Sequence, residues 1–213
     1  MKGVPLTEEL YNYITETFIE EDDILKNVVK GTAEMNIPMI QVSPETGKLL
    51  GLFIKMINAV SVLEIGTLTG YSSIWMARAL PSGGSVVTLE YSPKHADAAA
   101  ENFKAAGLEN KISIIRGKAI DSLDLLQSKT FDLVFIDADK ENCVNYFNKV
   151  INMVRKGGLI ITDNTLRRGE VIQPNPGPGA QGIIDYNKLV ANDNRVESIL
   201  IPIDDGITLS FVK

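Results

Sequence analysis

Five short apolar segments alternate with stretches of helical pattern, and this alternation constrains the fold more than any other feature of the chain. Strands that are nearly continuous in Val, Ile and Leu are typical of sheets covered by helices on both faces. Their alternation with helices predicts parallel strands joined by crossover helices. The segments are SVLEIG from Ser61, SVVTLE from Ser85, KISIIRG from Lys111, FDLVFIDA from Phe131 and GLIITDN from Gly158.

The segments on either side complete the predicted α/β architecture. Two further β-rich runs, VESILIPI and ITLSFVK, flank a turn at 204–206 and predict an antiparallel hairpin. Gly157-Gly158 is expected to end a helix, and QPNPGPGAQG is expected to be a loop before a helix at about 183–191. Three helical segments, 7–18, 22–34 and 44–57, precede the first strand. We therefore expect one domain, 1–213, with an N-terminal helical cap at 1–58 and a core at 59–213.

Composition narrows the class of protein. The chain is 45% hydrophobic and 23% charged, values ordinary for a globular protein. Its net charge of −6 disfavours nucleic acid as a partner, because phosphate contacts usually need clustered Lys and Arg. No apolar run reaches the roughly 20 residues of a membrane span, and the first residues lack a signal-peptide pattern. With Cys143 as its single cysteine, the chain is expected in the cytoplasm.

A glycine turn follows the first predicted strand. Glu64, Gly66 and Gly70 form the pattern E-x-G-x-x-x-G, and Glu90 ends the next strand 26 residues after Glu64. A carboxylate at that strand end can accept hydrogen bonds from ribose hydroxyls. The chain has neither G-x-G-x-x-G nor G-K-[ST] at this point, which disfavours NAD and ATP. We expect an adenosyl ligand without a phosphate chain; alternatively, the glycines serve packing alone and Glu90 is solvated.

Oxygen donors end the fourth and fifth predicted strands. Asp137 follows one strand, and Asp163 and Asn164 follow the other, so the three side chains are expected to converge on one crevice. Such donors suit Mg²⁺, with Ca²⁺ or Mn²⁺ as further candidates, while zinc is disfavoured because no His or Cys is near. The alternative is that Asp137 and Asp163 cap the helices that follow them.

Six motifs together resemble the family of cation-dependent O-methyltransferases that includes catechol and caffeoyl-CoA O-methyltransferases. The resemblance covers nearly the whole chain. The motifs are VSPETGKLL from Val42, VLEIGTLTGYSS from Val62, TLE from Thr88, FDLVFIDADK from Phe131, ITDNTL from Ile161 and PIDDGITL from Pro202. The resemblance implies a Rossmann-like seven-stranded, mostly parallel sheet of order 3-2-1-4-5-7-6 and usually a homodimer.

The resemblance also implies a role for each candidate site residue. S-adenosylmethionine is expected as the methyl donor, a catechol-like small molecule as the acceptor, and Lys140 as the general base. Asp137, Asp163 and Asn164 match the metal ligands of the family. The residues expected to bind the cofactor are Ile40, Val42, Glu64, Gly66, Ser72, Glu90, Ala119 and Asp137.

Some features depart from the family or leave its function open. Plant members commonly have a Trp where this chain has Arg167-Arg168-Gly169, so a plant-type acceptor is not implied. These arginines either steer an acidic acceptor or solvate a loop. His95, the only histidine, is predicted to be a surface residue. The alternative functions are O-methylation of a hydroxylated tRNA wobble base, a nicotinamide-dependent oxidoreductase on a related fold, and a non-catalytic sensor of an adenosyl ligand.

Overall fold

The computed structural model describes residues 6–213, in which seven strands form one sheet and eight α-helices surround it. The order of the strands is β3-β2-β1-β4-β5-β7-β6, as the family resemblance implies. The strands are β1 Ser61–Ile65, β2 Ser85–Glu90, β3 Ile112–Arg116, β4 Phe131–Ile136, β5 Val154–Thr162, β6 Val196–Ile201 and β7 Ile207–Val212. The helices are α1 Glu8–Phe18, α2 Asp23–Glu34, α3 Pro44–Met56, α4 Tyr71–Ala79, α5 Pro93–Ala105, α6 Ala119–Asp124, α7 Cys143–Val150 and α8 Pro178–Asn192.

Strands β1 to β5 pair in parallel, and the last two strands pair in antiparallel fashion. β7 lies between β5 and β6 and runs antiparallel to both, which confirms the predicted hairpin. Side chains of the central strands alternate between two apolar clusters, one on each face of the sheet. Leu133 and Phe135 of β4 belong to one cluster, for example, and Val134 and Ile136 to the other. Both faces are covered, as the continuous apolar strands predict.

The three N-terminal helices begin and end within one residue of their predicted bounds. Helices α2 and α3 contribute Leu25, Val28, Leu50 and Ile54 to the apolar cluster on one face of the sheet. Because these helices share a core with the sheet, we propose that residues 6–213 form a single domain. The first five residues of the predicted cap lie outside the described residues.

Two local predictions are wrong. Helix α7 ends at Val150, so Gly157 and Gly158 do not end it but lie inside β5. The register of β5 against β4 shifts there, and a Cβ on Gly158 would lie 2.6 Å from the Asp132 carbonyl oxygen. The glycines thus permit an irregular strand pairing.

The second wrong prediction concerns the start of α8, which begins at Pro178 rather than near Ile183. Proline suits the first position of a helix because its missing N–H has no partner there. The last five residues of the predicted loop are therefore helical. Over residues 6–213, no helix is both long and apolar enough to cross a bilayer.

Candidate active site

The glycine turn after β1 lies close to the end of β4 and to helix α5. Gly66 has a φ of +100°, and a Cβ there would collide with the Asp137 carbonyl oxygen. Gly70 has a φ of +87°, precedes α4, and leaves space for the ring of Phe103. Both positions require glycine, since a side chain would be strained and would clash. The packing interpretation of these glycines is therefore correct, and it leaves a cofactor role open.

Glu64 lies behind the turn and is fully buried. Its carboxylate accepts hydrogen bonds from Ser72 Oγ at 2.5 Å, from Thr88 Oγ1 at 2.6 Å and from Ser73 Oγ. Burial raises the pKa of Glu64 to about 7, although the three hydroxyls act in the opposite direction. Glu64 can thus reach a ligand through Ser72, which borders the cavity described below.

Glu90 ends β2 and closes the other side of the turn. Its Oε2 accepts the N–H groups of Thr67 and Leu68 at 3.2 and 2.9 Å, and its Oε1 accepts that of Ser92 at 2.8 Å. His95 Nδ1 lies 3.5 Å from Oε1. The His95 side chain, which the sequence predicts to be at the surface, is 24% exposed and lines the same cavity as Glu90.

The candidate metal ligands follow two neighbouring strands. The Asp163 N–H donates to the Ile136 carbonyl at 3.0 Å, which holds the end of β5 beside Asp137. Asp163 is buried, and burial together with the charge of Asp137 raises its pKa. Asn164 has a φ of +55° and donates its N–H to Asp163 Oδ1 at 2.7 Å. The capping alternative fails for Asp163 at α8, which begins fifteen residues later at Pro178.

Lys140 lies against this acidic pair. Its Nζ is 2.7 Å from Asp137 Oδ1, and only 10% of its side chain is exposed. Burial lowers the pKa of Lys140, but the charges of Asp137 and Asp163 outweigh burial, so the pKa is raised. The fold thus gathers two carboxylates, one amide and one amine.

These residues fit a hard divalent cation. The carboxylates of Asp137 and Asp163 lie at neighbouring strand ends, and Asn164 can add an amide oxygen as a third ligand. Such oxygen-only ligand sets suit Mg²⁺ or Ca²⁺. Over residues 6–213, no three His, Cys, Asp or Glu side chains cluster as a metal site, so the candidate depends on Asn164 for its third ligand.

One cavity of about 1020 Å³ connects the glycine turn with the acidic pair. Asp163 and Glu64 lie behind its wall, and Ile40 is at its rim with 70% of its surface exposed. The sequence-predicted residues that line the cavity are Ile40, Val42, Gly66, Ser72, Glu90, Ala119, Asp137, Lys140 and Asn164.

The cavity also includes residues that the sequence did not single out as part of a site. Besides His95, they include Tyr146 and Gly179, and Arg167, whose role the sequence left open, lies there too. Tyr146 donates its hydroxyl to Asp139, directly before Lys140. Of these residues, only His95 could have been found from the sequence, because it lies in the first turn of the helix that follows Glu90.

Known structures share this fold. An O-methyltransferase from Bacillus cereus, solved in complex with SAH, superposes with a TM-score of 0.90 at 40% sequence identity, covering 95% of this chain and 96% of that one. The fold and the cavity therefore place the chain in the class of Rossmann-like methyltransferases.

Sequence comparison gives the family. The O-methyltransferase family profile matches residues 15–213. A catechol O-methyltransferase from Niastella koreensis is 40% identical over 97% of both chains. Another, from Mycobacterium tuberculosis, is 42% identical over 81% of this chain and 78% of that one. The chain belongs to the O-methyltransferase family, which confirms the expected class of enzyme and sets aside the oxidoreductase alternative.

Proposed function

We propose that the chain transfers a methyl group from S-adenosylmethionine to one hydroxyl of a small catechol-like acceptor, with the help of a divalent cation. The observation that carries the proposal is the single cavity that joins Glu90 and the glycine turn to Asp137, Lys140 and Asn164. Methyl transfer requires donor and acceptor to be held in line and in contact. Relatives named catechol O-methyltransferases support the choice of acceptor.

The end of the cavity at the glycine turn is the proposed cofactor site. Glu90 accepts hydrogen bonds from the ribose hydroxyls, and Ser72, with Glu64 behind it, holds the methionine part. The SAH complex of the Bacillus cereus neighbour supports this type of cofactor. The proposed cofactor-binding residues are Ile40, Val42, Glu64, Gly66, Ser72, Glu90, Ala119 and Asp137.

The other end is the proposed reaction site. Asp137, Asp163 and Asn164 hold Mg²⁺, with Ca²⁺ or Mn²⁺ as other candidates. A divalent cation supplies positive charge that favours the ionised form of the acceptor hydroxyl. Lys140 accepts the proton of that hydroxyl, because a phenol with a pKa of about 10 is a poor nucleophile at neutral pH. Asp137 and Asp163 raise the pKa of Lys140, and a cation held by these carboxylates would offset their charge and favour the neutral amine that can accept a proton.

We also propose that the enzyme is a cytoplasmic homodimer. Helix α1 has no buried residue, and Tyr13 and Phe18 are 62% and 59% exposed. A second copy that covered these side chains would remove apolar surface from water. Light scattering after gel filtration measures the oligomeric state, and a monomer at micromolar concentration would contradict the proposal.

A screen of catechols tests the function. Purified protein is incubated with S-adenosylmethionine, Mg²⁺ and a panel of catechols, and products are read by mass spectrometry. We expect singly methylated products, and none after treatment with a chelator. Full turnover in metal-stripped protein would exclude a catalytic role for the divalent cation. Methylation of undermodified tRNA, with the steep salt dependence of phosphate contacts, and not of catechols, would favour the tRNA alternative.

A further inference from the structure

Arg167 lies in the cavity at the end where the reaction is proposed. It follows Asn164 by three residues, and both side chains line the cavity together with Lys140 and Gly179. A Cβ on Gly179 would lie 3.8 Å from Arg167 Nη2 and 3.8 Å from Lys140 Cβ. The Arg167 guanidinium and the Cβ of Lys140 therefore both flank Gly179.

The hydrogen bonds of Arg167 do not account for its position. Its Nε is buried, and no acceptor within residues 6–213 lies at hydrogen-bonding distance from it. Its Nη2 donates to Glu170 Oε2 at 3.5 Å, which is at the outer limit of a hydrogen bond. A buried donor without a partner is destabilising, and more so when it is charged. The Arg167 side chain as a whole is 33% exposed, so only its buried Nε lacks both protein acceptors and solvent.

The backbone holds Arg167 in an unfavourable conformation. Arg167 and Arg168 both have a φ of 48°, in the left-handed region, which is strained for residues with a side chain. The turn between β6 and β7 braces this loop: the Leu166 N–H donates to the Asp205 carbonyl at 2.9 Å, and the Arg168 N–H donates to the Asp205 side chain. Strained backbone that tertiary contacts hold in place is a feature of functional sites.

The neighbouring arginine does not share this environment. Arg168 is exposed and does not line the cavity. The two adjacent arginines share a φ of 48° but differ in their access to the cavity. This pair provides a matched control.

The charges nearby indicate what Arg167 can bind. Lys140 is paired with Asp137, and the Asp139 carboxylate accepts hydrogen bonds from Tyr146 and Asn142. Arg167, by contrast, has only the half-exposed Glu170, at 3.5 Å, as an ion-pair partner among residues 6–213. A guanidinium with spare donors matches the geometry of a carboxylate.

We propose that Arg167 is a specificity residue that binds a carboxylate on the acceptor. The preferred acceptors are then aromatic vicinal diols that carry a carboxylate group. This inference rests on the proposed function, since it names the substrate class of the same site. A charge-assisted hydrogen bond of about 1.5–3 kcal/mol corresponds to a preference of roughly 10- to 100-fold over a neutral analogue.

The experiment compares acceptors that differ only in this charge. Initial rates are measured with 3,4-dihydroxybenzoate and caffeate, with their methyl esters, and with unsubstituted catechol, for the parent protein, Arg167→Gln and Arg168→Gln. The parent is expected to have a 10- to 100-fold higher kcat/KM for at least one carboxylate than for its ester. In Arg167→Gln this ratio should fall to near one, mainly through KM, and in Arg168→Gln it should be retained. Calorimetric binding of SAH reports whether each variant is folded.

The outcomes separate this inference from the proposed function. Methylation of catechol and the esters without a preference for either carboxylate would overturn the role of Arg167 and leave the proposed function intact. If Arg167→Gln lowers kcat/KM equally for carboxylate and ester, Arg167 has a structural role and the proposed specificity role is overturned. Loss of the carboxylate preference in Arg168→Gln would overturn it as well. If no diol is methylated, the proposed function itself fails.

Discussion

Lys140 combines two features that rarely occur together, a nearly buried amine and direct contact with a carboxylate that is also a proposed metal ligand. A structural lysine in this position would serve only to balance the charge of Asp137. A general base must also accept a proton. Substitutions that separate charge from proton transfer therefore distinguish the two roles.

We predict that Lys140→Ala lowers the single-turnover rate of methyl transfer by about 10²- to 10⁴-fold, the usual effect of losing a general base. Lys140→Arg should be comparably slow, because arginine keeps the charge beside Asp137 but does not release its proton. Rapid-quench kinetics measures the rate, and exposed Lys188→Ala is the control. Recovery of the parent rate in Lys140→Arg would show that charge alone is required.

Glu64 gives the protein a pH-dependent stability. Its pKa is about 7 in the folded chain, against 4.5 for a free side chain, because burial penalises the charged form. The folded state therefore holds the proton more tightly than the unfolded state. The contribution of Glu64 to stability is greatest below pH 4.5, falls as pH rises from 4.5 to about 7, and is constant above that range.

We predict that Glu64→Gln removes this dependence. The fall in unfolding free energy between pH 4.5 and 7 should be smaller in Glu64→Gln than in the parent by up to roughly 3 kcal/mol. Urea denaturation of the ligand-free protein at a series of pH values measures it. The exposed control Glu109→Gln should keep the parent's dependence of unfolding free energy on pH. If Glu64→Gln also keeps it, Glu64 is ionised in the folded protein from pH 4.5 to 7.

At the scale of elements, helix α8 determines where Lys140 lies. Gly182 faces the short helical segment Lys140–Asn142, and a Cβ on Gly182 would lie 2.5 Å from the Lys140 carbonyl oxygen and 2.8 Å from Glu141 Cα. Backbone atoms cannot give way as a flexible side chain can. Any side chain at position 182 must therefore push the two elements apart.

We predict that Gly182→Ala lowers kcat at least about tenfold while SAH affinity changes little, because a displacement of about 1 Å in a catalytic group can cost 100-fold. Steady-state kinetics and calorimetry measure the two effects. Gly31→Ala in α2 is the matched control, since a Cβ there would meet nothing within 4 Å. Parent kinetics in Gly182→Ala would mean that the segment is free to adjust.

At the scale of the whole molecule, the proposed cation joins the ends of β4 and β5. Asp137 and Asp163 carry like charges at neighbouring strand ends, and Lys140 pairs with Asp137. A cation that binds the folded state alone stabilises it by mass action, by about 2.7 kcal/mol at a concentration 100 times its Kd. For a chain of this size, each kcal/mol raises Tm by roughly 2–4 °C.

We predict that Mg²⁺ raises the Tm of chelator-treated protein by several degrees, measured by calorimetry without S-adenosylmethionine or acceptor. Asp163→Asn should lose most of this response. Asp97→Asn, which alters an exposed carboxylate paired with Arg116, should retain it. An unchanged Tm in the parent at saturating Mg²⁺ would argue against a cation site in the ligand-free protein.

The sequence alone determined the features that depend on local pattern. Continuous apolar strands predict a sheet buried on both faces, and the strand ends locate Glu90, Asp137, Asp163 and Asn164, because side chains at the carboxyl edge of parallel strands share one crevice. The order of the strands came from the resemblance of the motifs, not from periodicity. Helix starts show the same local control, because Ser43 and Ser92 each cap a helix whose first residue is the proline that follows.

Only the tertiary structure decided which side chains from distant segments meet. Gly157 and Gly158 looked like a helix end, but they permit an irregular pairing with β4, which lies far from them in sequence. His95 reaches the cavity because Glu90 is beside it, and Arg167 does so because the turn between β6 and β7 holds its loop. Local propensity carries no information about such partners, since the free energy that selects these conformations comes from contacts formed when the sheet and its helices assemble.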